Sequence, residues 1–291
     1  MIEEFLDYLQ YELRRSPMTV KSYAEDLYAF EAFFRSFDDQ LTWETIDSDI
    51  IRDWMESMMD KGNSATSVNR RLSALRSLFR YALSRGKVTK DPAHSVEGPK
   101  RRKPLPQFLK ENEMDRLLDD MEWGDGYDDV RDRTIIMTFY ETGIRLSELV
   151  GLNDQAVDLD NCQLKVTGKG NKQRIVPFGS ELKAALRHLI ILREGVPRAD
   201  EAFFVTSKGQ RMKPAQVRQI VKNRLAAVCT LKKLSPHVLR HTFATSMLNH
   251  GAGIESVRRL LGHESVSTTE IYTHTTFEQL KRVYEEAHPR A

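Results

Sequence analysis

The sequence predicts a mainly α-helical protein with one small β-sheet, built as two domains. Three observations carry that expectation. Apolar residues recur at helical spacing through the first part of the chain. Residues 86–106 then break the pattern with glycine, prolines and a dense run of Lys and Arg. Beyond residue 107 helical patterns return, interrupted by a pair of alternating segments around Gly168-Lys169-Gly170-Asn171. A chain of 291 residues is long enough to bury two cores. The expected boundaries are 1–85 for a helical domain, 86–106 for a basic linker and 107–291 for a mixed α/β domain.

In the first domain, Ile2, Phe5, Leu6, Leu9 and Leu13 mark a helix that Ser16-Pro17 ends. Thr19 is a candidate cap for a second helix, striped by Val20, Tyr23, Leu27, Phe30 and Phe34. Aspartates around Ile46 and Ile50 introduce a third, carrying Trp54, Met55 and Met58. Over residues 66–84, Val68, Leu72, Leu75, Phe79 and Ala82 form a buried stripe. Arg70, Arg76 and Arg80 fall on the opposite side, among Asn69, Ser73 and Ser77. That face suits a nucleic-acid backbone, and it fits an ordinary solvated surface equally well. In the linker, Lys100, Arg101, Arg102 and Lys103 lie between prolines, which predicts an exposed strap. Basic clusters of this kind serve as localisation signals, tails or nucleic-acid contacts.

The second domain opens with helices over 111–121 and 131–140, the latter closed by Thr142-Gly143. Arg145 starts a short helix with Glu148 on its face three residues on. A plain surface pair there would contribute little; alternatively, Glu148 backs an arginine that faces an anion. Residues 162–167 and 173–178 alternate as two strands, leaving Lys169 at the hairpin tip. A solvated turn lysine is the ordinary fate of such a residue. Lys172 and Arg174, on the return, are candidate contacts to a phosphate backbone. Further helices are expected over 180–195 and 214–229.

The densest chemistry lies in residues 235–273. Ser235-Pro236 reads as an N-cap and first helical residue, so His237 falls in an opening turn. Free amides and the helix dipole favour a phosphate there, and Arg240 projects from the same face. Gly262 stops the following helix ahead of His263. Ser267-Thr268-Thr269-Glu270 has capping-box spacing, which puts Tyr272 early in another short helix. Taken alone, His-x-x-Arg is a weak motif, and a helical tyrosine is commonly a packing residue. His237 and His241 stand four apart, but Val238 occupies the place of a metalloprotease glutamate and no cysteine is near. No metal and no cofactor is expected. Phe277, Leu280, Val283, Tyr284 and Ala287 stripe a last helix ended by Pro289.

Cys162 and Cys229 are far apart and lack metal spacing, as in a reduced compartment. No apolar run is long enough for a bilayer, and Met1-Ile2-Glu3-Glu4 is acidic where a signal peptide would be basic. A cytoplasmic protein is expected. The net charge of +2 hides strong segregation. Residues 1–60 carry −10, residues 61–110 carry +11, residues 111–160 carry −11 and residues 161–291 carry +12. Blocks of that size give basic faces suited to phosphate contact.

The ordered set Arg145, Lys169, His237-x-x-Arg240, Leu261-Gly262-His263 and Tyr272 resembles the tyrosine recombinase (phage integrase) family, and most closely its Xer branch. The family's Thr-Gly-x-Arg-x-Ser-Glu-Leu segment reads here Thr142-Gly143-Ile144-Arg145-Leu146-Ser147-Glu148-Leu149. Its hairpin lysine is matched by Gly168-Lys169-Gly170-Asn171-Lys172, and the ending from Glu286 to Ala291 is similar as well. The resemblance spans nearly the whole chain and fills every catalytic position.

That resemblance implies a SAM-like core-binding domain in front of a catalytic domain, the two forming a C-shaped clamp round DNA. It implies a site-specific recombinase that cuts and rejoins strands through a 3′-phosphotyrosyl link and a Holliday junction, without metal or ATP. Tyr272 would be the nucleophile, with Arg145 and Arg240 on the phosphate and Glu148 in support. His237 would assist Tyr272, His263 would bond the phosphate, and Lys169 would protonate the leaving 5′ oxygen. The implied partners are double-stranded DNA with an inverted-repeat site and a tetramer of this chain, or of this chain with a second Xer-type enzyme. The last helix would link the subunits, and a DNA translocase is a further expected activator. The expected task is resolution of chromosome dimers at a dif-like site. An integrase of a mobile element is the rival, disfavoured because the chain begins directly with core-binding helices. A type IB topoisomerase shares the chemistry, but the subunit-linking tail argues against it.

Overall fold

The computed structural model describes residues 1–100, 107–168, 171–262 and 274–291, with the side chains of the last stretch from residue 277. Two compact units result, Met1–Pro104 and Leu105–Ala291.

The first unit is helical. α1 (Ile2–Asp7) runs on through a π turn over Tyr8–Glu12, followed by α2 (Pro17–Phe37), α3 (Ser48–Asp60) and α4 (Ala65–Ser84). Ser16, not Thr19, caps α2. Its Oγ accepts from the Thr19 amide at 3.2 Å, and Pro17 takes the first helical position, where a missing N–H costs nothing. Asp47 caps α3 by accepting from the amides of Asp49 and Ile50. The expected stripe of α4 is fully buried, and Phe30, Phe34, Trp43, Trp54 and Phe79 close the core with mutual ring contacts.

The stretch from residue 87 to residue 99, the front of the expected linker, is not free of the first unit: Val88, Ala93 and Val96 are buried in its core. Asn69 Nδ2 also donates to Pro99 O at 2.8 Å. Nor are Arg70 and Arg76 bare surface cations. Arg70 grips buried Asp26 with both terminal nitrogens, and Arg76 donates to the carbonyls of Ala93 and Val96. A carboxylate buried opposite α4 and the carbonyls of the chain laid over it claim those donors. Arg80 and Lys100 remain exposed. Arg101, Arg102 and Lys103 lie outside the described residues.

The second unit is helical around a three-stranded sheet. Its elements are α5 (Glu111–Asp115, continuing as a π turn through Asp120), α6 (Tyr127–Thr142), α7 (Leu146–Val150), β1 (Val157–Asp158), β2 (Gln163–Thr167), β3 (Gln173–Pro177), α8 (Ser180–Arg193), α9 (Pro214–Ala226), α10 (Pro236–Asn249), α11 (Ile254–Leu261) and α12 (His274–Ala287). The sheet is antiparallel in the order β1-β2-β3, with Leu164 opposite Val176 and Val166 opposite Arg174. The two-residue β1 was too short to show in the sequence pattern. α6 is buried along nearly its whole second half, with α8, α9 and α10 packed against it. It ends at Gly143, whose φ of +58° favours glycine; a Cβ there would also stand 2.5 Å from the Phe243 ring.

α12 packs within its own unit. Leu280, Tyr284 and Ala287 join Phe243, Met247, Val257, Leu260 and Leu261 in a small second core. Among the described residues no helix is long and apolar enough to cross a membrane.

Candidate active site

Four short structures meet at one place: the turn after α6, the start of α7, strand β3 and the end of α11. The sequence explains each. Gly143 stops α6 so that Arg145 can take an extended conformation and become the N-cap of α7. Glu148 is the third residue of α7, so its carboxylate reaches back to the Arg145 amide, 2.7 Å away. Gly262, with φ +66°, ends α11 and leaves that helix's last carbonyls without intrahelical partners.

Those carbonyls are taken by guanidiniums. Arg174 Nε donates to Leu260 O at 2.9 Å, Arg240 Nη2 to Leu261 O at 2.7 Å and Arg145 Nη2 to Gly262 O at 2.7 Å. Three consecutive carbonyls thus hold three arginines from three other elements. Arg240 also donates from Nη1 to Gly143 O at 2.6 Å, which ties the end of α6 to the same cluster. Cations at a helix C-terminus are favoured by the dipole.

Glu148 sits behind them with its side chain fully buried. Besides the Arg145 amide it accepts from Arg145 Nη1 at 2.8 Å and from both terminal nitrogens of Arg174, at 2.7 and 2.9 Å. Burial would raise its pKa, but the bonds and charge of Arg174, then those of Arg145, hold it down at about 2. Glu148 is therefore ionised. Arg240 is lowered to about 10 by burial and by the charges of Arg145 and Arg174, with Glu148 opposing, so it stays a cation at neutral pH.

His237 occupies the opening turn of α10 and is exposed. Partial loss of hydration lowers its pKa, and the nearby charges of Arg240, His241, Arg218 and Arg145 lower it further. Both effects favour the neutral form, the one that can accept a proton. Lys172 is exposed just before β3. Lys169, His263 and Tyr272 lie outside the described residues, so the structure brings together Arg145, Glu148, His237 and Arg240 from the expected set.

One assignment is overturned. Arg174 was expected at a phosphate backbone, yet the residue is 7% exposed and all three of its guanidinium nitrogens are bonded inside the protein. The signal was in the strand: Arg174 shares the inward face of β3 with Val176. An inward arginine needs a buried acceptor, and Glu148 was already singled out for another reason.

A cluster of permanently charged forks with a neutral imidazole beside it can bind a phosphodiester and stabilise charge built up on its oxygens. Comparison with known proteins gives the class. Residues 107–279 match the phage integrase family, and residues 2–86 match its N-terminal SAM-like domain. The chain belongs to that family and is a tyrosine recombinase of the Xer branch, an enzyme that breaks and rejoins DNA strands.

Among its relatives, tyrosine recombinase XerC of Chlorobaculum tepidum is 37% identical, over 99% of this chain and 94% of that protein. XerC of Thermodesulfovibrio yellowstonii is also 37% identical, over 99% of this chain and 96% of that protein. In fold, the chain is similar to XerH site-specific recombinase bound to a palindromic difH substrate, with a TM-score of 0.72. That match has 22% identity and covers 97% of this chain and 82% of the other.

Proposed function

We propose that this enzyme is a site-specific recombinase that resolves chromosome dimers at a dif-like site in the cytoplasm. The reading is supported by relatives named XerC that match it over nearly their full length. It is supported further by a solved fold neighbour whose substrate is a difH site. The single observation that carries the chemistry is the placement of Arg145 and Arg240 side by side. Each is anchored through bonds to Gly262 O or to Gly143 O and Leu261 O, at the head of the segment leading to His263 and Tyr272.

In this mechanism Arg145 and Arg240 neutralise the non-bridging oxygens of the scissile phosphate as phosphorus becomes five-coordinate. Tyr272 attacks, forming a 3′-phosphotyrosyl bond and releasing a 5′ hydroxyl. His237 accepts the tyrosine proton, His263 bonds the phosphate, and Lys169 protonates the departing oxygen. The covalent link conserves the phosphodiester energy, so a partner strand's 5′ hydroxyl can reseal it; two rounds pass through a Holliday junction. Arg80, Lys100, Arg101, Arg102, Lys103 and Lys172 supply backbone contacts that position the DNA without reading it. Four protomers assemble on an inverted-repeat site, alone or with a second Xer-type recombinase, and a DNA translocase activates them.

The test uses nicked duplexes carrying the candidate dimer-resolution site of the source genome. Wild type is expected to leave a covalent adduct on denaturing gels, while Tyr272→Phe binds the same duplex and leaves none. An adduct that survives in Tyr272→Phe would sink the nucleophile assignment. Adducts formed only on a mobile element's ends would favour an integrase.

A further inference from the structure

We infer that Arg174 is a positioning residue for strand cleavage: through Glu148 and the Leu260 carbonyl, it sets the placement of Arg145 and of the end of α11. The inference rests on the recombinase reading above, and it assigns to Arg174 a role opposite to DNA contact.

The geometry argues it in three steps. Arg174 touches both anchors of the site and takes both oxygens of Glu148 while doing so. Its terminal nitrogens hold the two oxygens of Glu148, and its Nε holds Leu260 O. Next, Glu148 is what fixes Arg145, through the backbone amide and through Nη1. With both carboxylate oxygens pinned from behind by a planar fork, Glu148 has one orientation in which to receive Arg145. Last, the backbone crowds closely around this pair. A Cβ at Gly262 would stand 3.0 Å from Arg174 Nη1, and one at Gly168 would stand 3.2 Å from Glu148 Oε1. β3 also carries Arg174 on the return arm of the hairpin, with Thr167 opposite Gln173 next to it. The same side chain therefore ties hairpin, α7 and α11 into one rigid unit. Electrostatics points the same way: Arg145, Arg174 and Arg240 face one carboxylate, which leaves positive charge in excess for a phosphate gaining negative charge.

The experiment measures single-turnover adduct formation and DNA affinity on the nicked duplex above. It compares wild type, Arg174→Gln, Glu148→Gln and the double variant Arg174→Gln/Glu148→Gln, in which both members of the buried Arg174–Glu148 pair are neutral. Arg174→Gln is expected to cleave about 100-fold more slowly, the cost of a displacement near 1 Å in the reacting geometry, with DNA affinity unchanged. The double variant is expected to be no slower than the slower single variant, because both changes break one unit.

A pH profile separates positioning from general loss of structure. Glu148 is faced by Arg145, Arg174 and Arg240; without Arg174 its carboxyl moves up toward the ordinary range. Arg174→Gln should then lose further activity as pH falls through that range, whereas wild type and the double variant lack that limb. A loss of DNA affinity in Arg174→Gln, a multiplicative loss in the double variant, or cleavage equal to wild type would each overturn the inference. If wild type itself forms no adduct, the recombinase reading fails and takes this one with it.

Discussion

Glu141 and Glu148 flank the same turn, both are buried, and they end in opposite charge states. Glu148 meets two guanidiniums and stays ionised, with a pKa of about 2. Among the described residues Glu141 meets only the Gly179 amide at 3.0 Å and the Tyr284 hydroxyl at 3.3 Å, and burial pushes its pKa up to about 8. Its Oε1 is buried with no hydrogen-bond partner among the described residues. Depth does not decide the charge of a carboxyl; the donors that reach it do.

The two sites differ in purpose accordingly. The Glu148 cluster fixes cations that can face a phosphate. The Glu141 site is a seat for the end of the chain, and neutral groups build it. His288 lies between the rings of Tyr284 and Phe243, donates from Nε2 to Tyr140 O at 3.2 Å and accepts the Arg290 amide on Nδ1 at 3.1 Å. Burial pulls its pKa down to about 4, so it is neutral in that tautomer. Arg290 closes the seat against Asp115, Asp119 and Glu181.

The sharpest way to break this contrast is Glu148→Gln. It removes the charge that holds Arg145 and Arg174 together, and breaking such a buried pair costs about 3–5 kcal/mol. Urea unfolding is expected to show a loss of that size, and a loss below about 1 kcal/mol would mean the cluster needs no carboxylate.

Next in size is the pH dependence. Glu148 has a lowered pKa, so its contribution is present above the ordinary value of 4.5 and is lost as pH falls toward about 2. Glu141 has a raised pKa, so its contribution is present below 4.5 and is lost as pH rises through about 8. Glu141→Gln is expected to flatten the alkaline limb of thermal stability, with a gain on the order of 2–4 kcal/mol at pH 9 relative to pH 5. An unchanged alkaline limb would show that Glu141 is ionised after all.

Tyr284→Phe removes the hydroxyl that donates to Glu141 and should cost about 1 kcal/mol in the same unfolding experiment. Arg290→Ala should cost least, about 1 kcal/mol or under, because its three carboxylate partners are half exposed to solvent. A larger loss from Arg290 than from Tyr284 would reverse the reading of what holds the tail.

Much of this was legible in the chain itself. Periodicity located the helices, because an apolar stripe at helical spacing has one way to bury itself. Gly143 and Gly262 announced the helix ends, since both need a left-handed backbone. Local spacing put Arg145, Glu148, His237 and Arg240 at helix starts, and resemblance to the family's motifs singled them out among the many charged residues.

What remained hidden depended on partners distant in sequence. Arg70 and Arg76 looked free on a helical wheel, and only packing showed the buried carboxylate and carbonyls that bind them. Arg174 looked like a surface cation until the sheet register faced it to Glu148 and Leu260. The charge states of Glu141 and Glu148 were equally closed to sequence, because a pKa is set by the donors and the dielectric that tertiary structure assembles. Sequence determined which groups the chain carries and along which face of each element; tertiary structure decided which of them are spent on the protein, because only packing brings distant donors and acceptors together.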